Sequence, residues 1–305
     1  MNKDKLLKIL KLGRFQFIFG GFLYFCIGAL FAVILNAEFD LNKFLLGYAI
    51  FFMAHLSMHF SNDYFDFEAD KHGKTSQFAG GSGILVENPE LKKFAKWFSI
   101  TLLSLSLILA AVFTFVFSYP LWFFLFVVLG NFLAWFYAAP PLKLSYNGLG
   151  EIATISIGFL MPAMGYLTLT ETIDMAFVIF SIPLLFYQLL FINAVQIPDM
   201  EGDKLGGKKT WIVKRGRLFG FKTIAIAGSL ATLSFITLSL TNLYPASINF
   251  NFIAFLSVFP LSFAILSYLK KSENRNAAIT LVNRNLSSLI LFLAIINCYF
   301  IYLIV

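Results

Sequence analysis

Along the chain, long apolar runs alternate with short segments that carry nearly all of the charge. Nine runs reach roughly 17–23 residues, the length an α-helix needs to cross a hydrocarbon core of about 30 Å. They fall at residues 17–36, 44–61, 98–119, 121–137, 152–169, 175–197, 223–240, 252–269 and 286–305. Lipid offers no partner to an open peptide group, so runs of this length predict an all-α, polytopic membrane bundle. Pro162, Pro183 and Pro260 lie inside three of the runs, where kinks are tolerated and open a central cavity. Ahead of the first run, residues 1–15 alternate lysines with Leu6, Leu7, Ile9, Leu10 and Leu12. That alternation predicts an amphipathic helix lying on the membrane surface.

Composition supports the membrane reading. The 305 residues are 59% hydrophobic and 13% charged, with a mean hydropathy of +0.81, outside the range of soluble domains. No linker or low-complexity tract divides residues 1–305, so a single domain is expected. A net charge of +7 raises nucleic-acid binding, but its distribution argues against it. With nine alternating crossings, all of the 23 lysines and arginines except Lys43 fall on one side. Such asymmetry marks that side as cytoplasmic. The N-terminal apolar run is too long for a signal peptide and lacks a small-residue cleavage site, so it counts as the first span. Cys26 and Cys298 lie within spans and imply neither a disulfide nor a zinc site.

Against this background, Asn62-Asp63-Tyr64-Phe65-Asp66-Phe67-Glu68-Ala69-Asp70 stands out, with four carboxylates and an amide at the end of an apolar run. A helix turns about 100° per residue, so Asn62, Asp66 and Asp70 share one face. Like charges at that spacing repel unless a cation gathers them. A related stretch, Asp199-Met200-Glu201-Gly202-Asp203, ends a later run, and Gln196 precedes it near the same face. Both fall on the basic side. The pair hints at an internal duplication. Hard oxygen donors without thiolates select Mg²⁺ or Mn²⁺, and Mg²⁺ typically shares its carboxylates with substrate phosphates. Lys71, Lys74, Lys204, Lys208 and Lys209 lie close enough in sequence to balance a diphosphate.

Other polar features admit two readings each. Arg14, at the membrane entry, is either a topological anchor or an anion ligand. His55 and His59 are four apart, but without a third ligand they suit packing or hydrogen bonding better than metal. Gly80-Gly81-Ser82-Gly83 either lets backbone N–H groups approach a phosphate or forms a surface turn. Pro140-Pro141 ends a helix, and Lys143 follows, either snorkelling to the headgroups or binding an anion. A diphosphate at the interface with an apolar aromatic cavity behind it describes an isoprenyl diphosphate. Metal and lysines would neutralise the leaving group, and aromatic faces would shelter an allylic cation.

These motifs resemble the UbiA superfamily of intramembrane prenyltransferases. Asn62-Asp63-Tyr64-Phe65-Asp66-x3-Asp70 is similar to its first signature, and Asp199-x3-Asp203 followed by Gly207-Lys208-Lys209-Thr210 to its second. Tyr137-x2-Pro140-Pro141-x-Lys143 and Gly148-Leu149-Gly150-Glu151 also match, so the resemblance covers essentially the whole chain. It implies Mg²⁺-dependent transfer of a prenyl group from an isoprenyl diphosphate to an aromatic ring. Carried onto this sequence, Asn62, Asp66, Asp70, Asp199 and Asp203 hold the metal, with Asp66 and Asp199 central to catalysis. The resemblance also implies that Lys143 binds diphosphate and that Tyr137 lies near the reacting carbon, while Arg14, Lys71, Lys204 and Lys208, from their positions near the motifs, are further diphosphate-binding candidates. The Arg-Pro pair that often follows the first signature in ubiquinone-type members is missing. The second motif, beginning Ile197-Pro198, looks closer to the menaquinone and vitamin-K-type branch, which implies a naphthoate-like acceptor. Alternatives are an intramembrane terpene cyclase, transfer to a lipid-like glycerol-phosphate acceptor, and a non-catalytic isoprenoid carrier. A transporter would need acids at mid-span, and these lie at span ends.

Overall fold

The computed structural model describes residues 3–305; the first two residues of the predicted amphipathic segment lie outside them. Helix accounts for 77% of the structure, with no strand among the described residues. The chain starts with α1 (Lys3–Leu12), which leaves Leu6, Leu7 and Leu10 exposed beside its lysines and buries Leu12. The first span, α2 (Phe15–Ile34), leads to α3 (Leu41–Phe65) and the short α4 (Phe67–Asp70). A loop, α5 (Ile84–Glu87) and one 3-10 turn (Pro89–Leu91) connect to α6 (Lys92–Val116) and α7 (Leu121–Phe136). Then follow α8 (Gly150–Leu169), α9 (Met175–Gln196), α10 (Met200–Leu205) and α11 (Trp211–Arg215). The last three helices are α12 (Arg217–Ser239), α13 (Phe250–Leu269) and α14 (Arg275–Ile304).

Eight of these helices are long and apolar enough to cross a membrane. The ninth, α7, has 16 residues, about 24 Å at 1.5 Å per residue. The protein is therefore an integral, multi-pass membrane bundle. Helices α8, α9 and α13 run unbroken through Pro162, Pro183 and Pro260.

The largest departure from the hydropathy pattern is α14, which starts at Arg275 rather than at residue 286. Its first turns are too polar for lipid, but Asn274 caps them by accepting from the N–H groups of Asn276 and Ala277. For a similar reason α12 starts at Arg217, whose side chain is buried against protein rather than lipid.

Around the bundle, α2 packs on α8 and α14, α14 on α13, α13 on α12, α12 on α9 and α9 on α8. The hairpin of α6 and α7 packs against α3. Lipid tails are as apolar as leucine, so close packing and hydrogen bonds between helices must hold the spans together. Ser57 and Ser106 on α3 and α6 donate across their interface to the Ser99 and Ile50 carbonyls, at 2.8 and 3.0 Å. Asn297 on α14 donates to the Leu23 carbonyl on α2 at 3.1 Å. Each such bond contributes about 0.6–2 kcal/mol. At one end of the bundle, Tyr119 donates to the Thr168 carbonyl and Lys43 lies 5.1 Å from the Tyr119 ring. The acidic motifs gather at the opposite ends of α3 and α9.

Candidate active site

The two acidic stretches adopt the same local form. Helix α3 stops at Phe65, and Asp66 leaves helical geometry at φ −86°, ψ 2° before α4. Helix α9 stops at Gln196, and Asp199 takes φ −92°, ψ −4° before α10. The break in the first motif interrupts the continuous helix that the sequence spacing predicts. The register nevertheless survives, because the N–H groups of Asp66, Asp70 and Asp203 donate to the carbonyls four residues back, each at 2.8 Å. Asn62, Asp66 and Asp70 thus still face one way, and α4 packs on α10.

Between the motifs lies a cavity with about 1580 Å³ of empty space, open mouth included. At its polar end stand Arg14, Asn62, Asp63, Asp66, Asp70, Asp199, Asp203 and Lys208, and Tyr137 lies along its wall. Deeper in, Phe17, Met161, Phe191, Leu289 and Leu293 make it apolar. A second crevice of about 600 Å³, apolar apart from His55 and Asn131, runs between α3, α7 and α8. It shares His55, Met58, Ile157 and Met161 with the first.

Lys208 ties the motifs together, its Nζ 2.9 Å from Asp66 and 3.2 Å from Asp203. Tyr146 donates to the other Asp66 oxygen at 2.8 Å. Burial disfavours the Lys208 ammonium, but the Asp66 and Asp203 charges outweigh it and hold its pKa well above the ordinary lysine value. The carboxylates are under the opposite stress. Burial pushes Asp70 up to about 8, helped by the charges of Asp66 and Asp63. Burial and the Asp203 charge push Asp199 up to about 7, against the pull of the Gly80 N–H and Lys208. Asp203 is raised too, chiefly by burial. One lysine does not neutralise these acids, and a divalent cation would.

The oxygen donors fit such a cation. Among the described residues, Asn62 Oδ1, Gln196 Oε1 and Asp199 Oδ1 are buried without a hydrogen-bond partner, a costly arrangement unless a ligand completes it. Three or more acids, histidines or cysteines are not already gathered as a metal cluster among those residues. Lys208 spaces Asp66 from Asp203, and this open arrangement suits a metal that takes part of its shell from phosphate.

Several sequence candidates have other partners. Glu68 pairs with Lys71 at 2.8 Å on the exposed surface. Glu201 pairs with Arg217, which also donates to the Ile197 and Glu273 carbonyls. Lys71, Lys143 and Lys204 do not line the cavity; Lys204 is exposed, and Lys143 Nζ lies 5.0 Å from the Tyr146 ring. The glycine loop folds inward, with Phe78 buried and 6.1 Å from Phe17. Its Gly80 N–H donates to Asp199 at 2.8 Å, and Ser82 donates to Asp63 through both N–H and hydroxyl. Those donors therefore orient carboxylates. Arg275 anchors the same loop to the second motif through the Lys74 and Pro198 carbonyls. Sequence spacing gives no sign of the Tyr146, Arg217 or Arg275 contacts, because each partner is at least 16 residues away.

Known proteins share this architecture. A curated 1,4-dihydroxy-2-naphthoate octaprenyltransferase of Bacillus subtilis (strain 168) is 25% identical over 203 residues, 65% of this chain and 61% of that protein. The match thus spans less than two thirds of that relative's length. A UbiA homolog from Archaeoglobus fulgidus, solved with DMAPP and Mg²⁺, superposes with a TM-score of 0.71 at 19% identity, covering 97% of this chain and 99% of that one. A digeranylgeranylglyceryl phosphate synthase superposes at 0.63 and 21% identity, with 99% of each chain covered. At these identities the superpositions establish the fold. The family model of the UbiA prenyltransferases matches residues 22–296, and the chain belongs to that family.

Proposed function

We propose that the protein, acting as one domain, transfers a prenyl group from an isoprenyl diphosphate to an aromatic, naphthoate-like acceptor in a Mg²⁺-dependent reaction, releasing diphosphate. The observation that carries this reading is the meeting of two acidic motifs, with unpartnered buried oxygens, at the polar end of an apolar cavity. Asn62, Asp66, Asp70, Asp199 and Asp203 would hold Mg²⁺, which when bound neutralises the departing diphosphate. Lys208 and Arg14 add positive charge at the same end. Tyr137, on the cavity wall, would lie near the reacting carbon. Aromatic walls keep water from the allylic carbon as its C–O bond breaks, and the crevice beside Met58 and Met161 suits the hydrocarbon tail. The distribution of basic residues supports a cytoplasmic placement of the motif-bearing end. The naphthoate reading draws support from the name of the Bacillus relative.

The test is diphosphate release by the purified protein from geranyl diphosphate, with Mg²⁺ or EDTA and a panel of acceptors. Release requiring both Mg²⁺ and 1,4-dihydroxy-2-naphthoate is expected. Release with a glyceryl phosphate acceptor instead would move the assignment to a lipid acceptor. Mg²⁺-dependent release without acceptor would point to a cyclase, and Mg²⁺-dependent binding without release to a carrier.

Metal binding should also appear in stability. In the unfolded chain Asp70 and Asp199 ionise near 3.8, whereas in the folded protein they keep protons until about 8 and about 7. Folding therefore takes up protons between these limits. This contribution is fully present below the unfolded pKa and is lost as pH rises through the folded values. Thermal unfolding in detergent with EDTA should thus fall from pH 5 to pH 8.5, and excess Mg²⁺ should flatten the fall. Stability that is level or rising with pH under EDTA would contradict the raised carboxyls.

A further inference from the structure

The proposed chemistry leaves two buried polar side chains unexplained. His55 and His59 sit four apart on α3, their ring centroids 5.1 Å apart, and His59 stacks on Phe17 at 5.8 Å and 27°. Both line the main cavity and are only 8% and 4% exposed. Among the described residues, His55 Nδ1 and His59 Nε2 have no hydrogen-bond partner. An apolar ring would pack against Phe17 without that penalty, so packing alone does not account for imidazoles here. Nor is a metal their partner, because no third ligand joins them among the described residues.

Their position indicates what meets them. On α3 the stripe His55, His59, Asn62, Asp66 runs from the cavity's apolar depth to its acidic end. At 1.5 Å per residue, His59 lies about 4.5 Å deeper than Asn62, one step beyond the phosphate-facing oxygens. Across from the pair, Gly21 on α2 leaves room for the His55 ring, since a Cβ there would lie 2.5 Å from its Nδ1. Tyr24 and Gln188 also line this cavity, and Arg14 and Asp63 are among the charged groups at its polar end, with Asp66, Asp70, Asp199, Asp203 and Lys208. A neutral imidazole offers one donor and one acceptor nitrogen, and the complementary group on an otherwise apolar molecule is a hydroxyl.

We propose that His59, backed by His55, receives a ring hydroxyl of the aromatic acceptor and takes its proton as the new carbon–carbon bond forms. This rests on the transfer reading above. As the hydroxyl O–H bond breaks toward His59, its electron pair conjugates into the ring. A ring carbon then bonds the allylic carbon, whose C–O bond breaks with its electron pair leaving on diphosphate. The product is first the keto tautomer of the prenylated ring, and the imidazolium returns its proton to solvent through the open mouth. No oxidant or reductant is needed.

The test measures kcat and KM for 1,4-dihydroxy-2-naphthoate and for its methyl ethers, with geranyl diphosphate and Mg²⁺, and separately the affinity for geranyl diphosphate. His59→Phe, which keeps the stacked ring, should lower kcat/KM for the dihydroxy acceptor about 100-fold and leave geranyl diphosphate affinity within about twofold. His59→Gln restores a hydrogen-bonding group but no base, so it should recover KM and leave kcat low. On the methyl ether of the facing hydroxyl, wild type and His59→Phe should be equally slow. A dihydroxy kcat/KM within twofold of wild type in His59→Phe, or the same fold-loss on every methyl ether, would overturn the assignment. Should neither variant fold, equal wild-type rates on the hydroxyl and all the ether forms would overturn it as well. Wild-type diphosphate release that no aromatic acceptor stimulates would instead sink the aromatic-transfer reading, and this one with it.

Discussion

Asp199→Ala should reduce Mg²⁺-dependent diphosphate release by about three orders of magnitude or more while the bundle stays folded. Asp199 holds two positions at once. Its Oδ2 accepts from Gly80 at 2.8 Å, which fixes the carboxylate, and its Oδ1 is buried without a partner. Removing the side chain takes away a proposed metal ligand and also frees the glycine loop, so the companion variant Asp199→Asn is needed. The amide keeps an acceptor for Gly80 but has no charge, and turnover should still be lost. Because burial and the Asp203 charge make the carboxylate unfavourable in the metal-free fold, Asp199→Asn should unfold at the same or a higher temperature than wild type under EDTA. Activity and stability then move in opposite directions, as expected of a site built for a ligand rather than for the fold. Glu68→Ala is the control: its carboxylate is on the surface with Lys71, and rates should stay within about twofold of wild type. An unchanged Mg²⁺ requirement and rate in both Asp199 variants would remove this carboxylate from the metal site.

The contrast between Glu68 and Asp199 marks how far the sequence could be read. Eight of the nine apolar runs form helices long enough to cross and the ninth a shorter apolar helix, because lipid permits few other structures, and the spacing of Asn62, Asp66 and Asp70 survives as a shared face even where the helix breaks at Asp66. The same spacing leaves Glu68 and Glu201 off those faces, and Glu68 does pair with its i+3 neighbour Lys71, but the Arg217 partner of Glu201 lies 16 residues on and has no local sign. Lys208, Lys71 and Lys204 looked alike as lysines near acidic motifs. Only the packing of α4 on α10 brings Lys208 between Asp66 and Asp203. Tyr146 donates to Asp66 from 80 residues away, a partner that local spacing cannot indicate. The helix starts at Arg217 and Arg275 were missed because hydropathy registers only lipid-facing segments, and both arginines cap helices through contacts with the second motif.

The walls of the cavity depend on a contact that carries no polar signal at all. Helices α2 and α8 cross with almost no space between their backbones: a Cβ on Gly28 would lie 1.7 Å from the Pro162 carbonyl oxygen, and one on Gly165 would lie 1.9 Å from the Phe25 carbonyl oxygen. Small residues allow this approach, which is how helices gain packing energy in lipid. Backbone cannot rotate aside as a side chain can, so Gly28→Ala must push the two helices apart. The expected cost is about 3 kcal/mol or more, at or above the upper end for overpacked sites. Helix α8 also carries Thr154, Ile157 and Met161 of the cavity lining, and α2 carries Phe17 and Tyr24, so separation should reach the site as well. Gly28→Ala and Gly165→Ala are thus expected to lower the unfolding temperature in detergent markedly and to raise KM for geranyl diphosphate. Gly130→Ala on α7 should not lower the unfolding temperature, since a Cβ there meets no atom within 4 Å and alanine favours the helix. If Gly28→Ala unfolded with Gly130→Ala, the close crossing of α2 and α8 would not be what holds the cavity in shape.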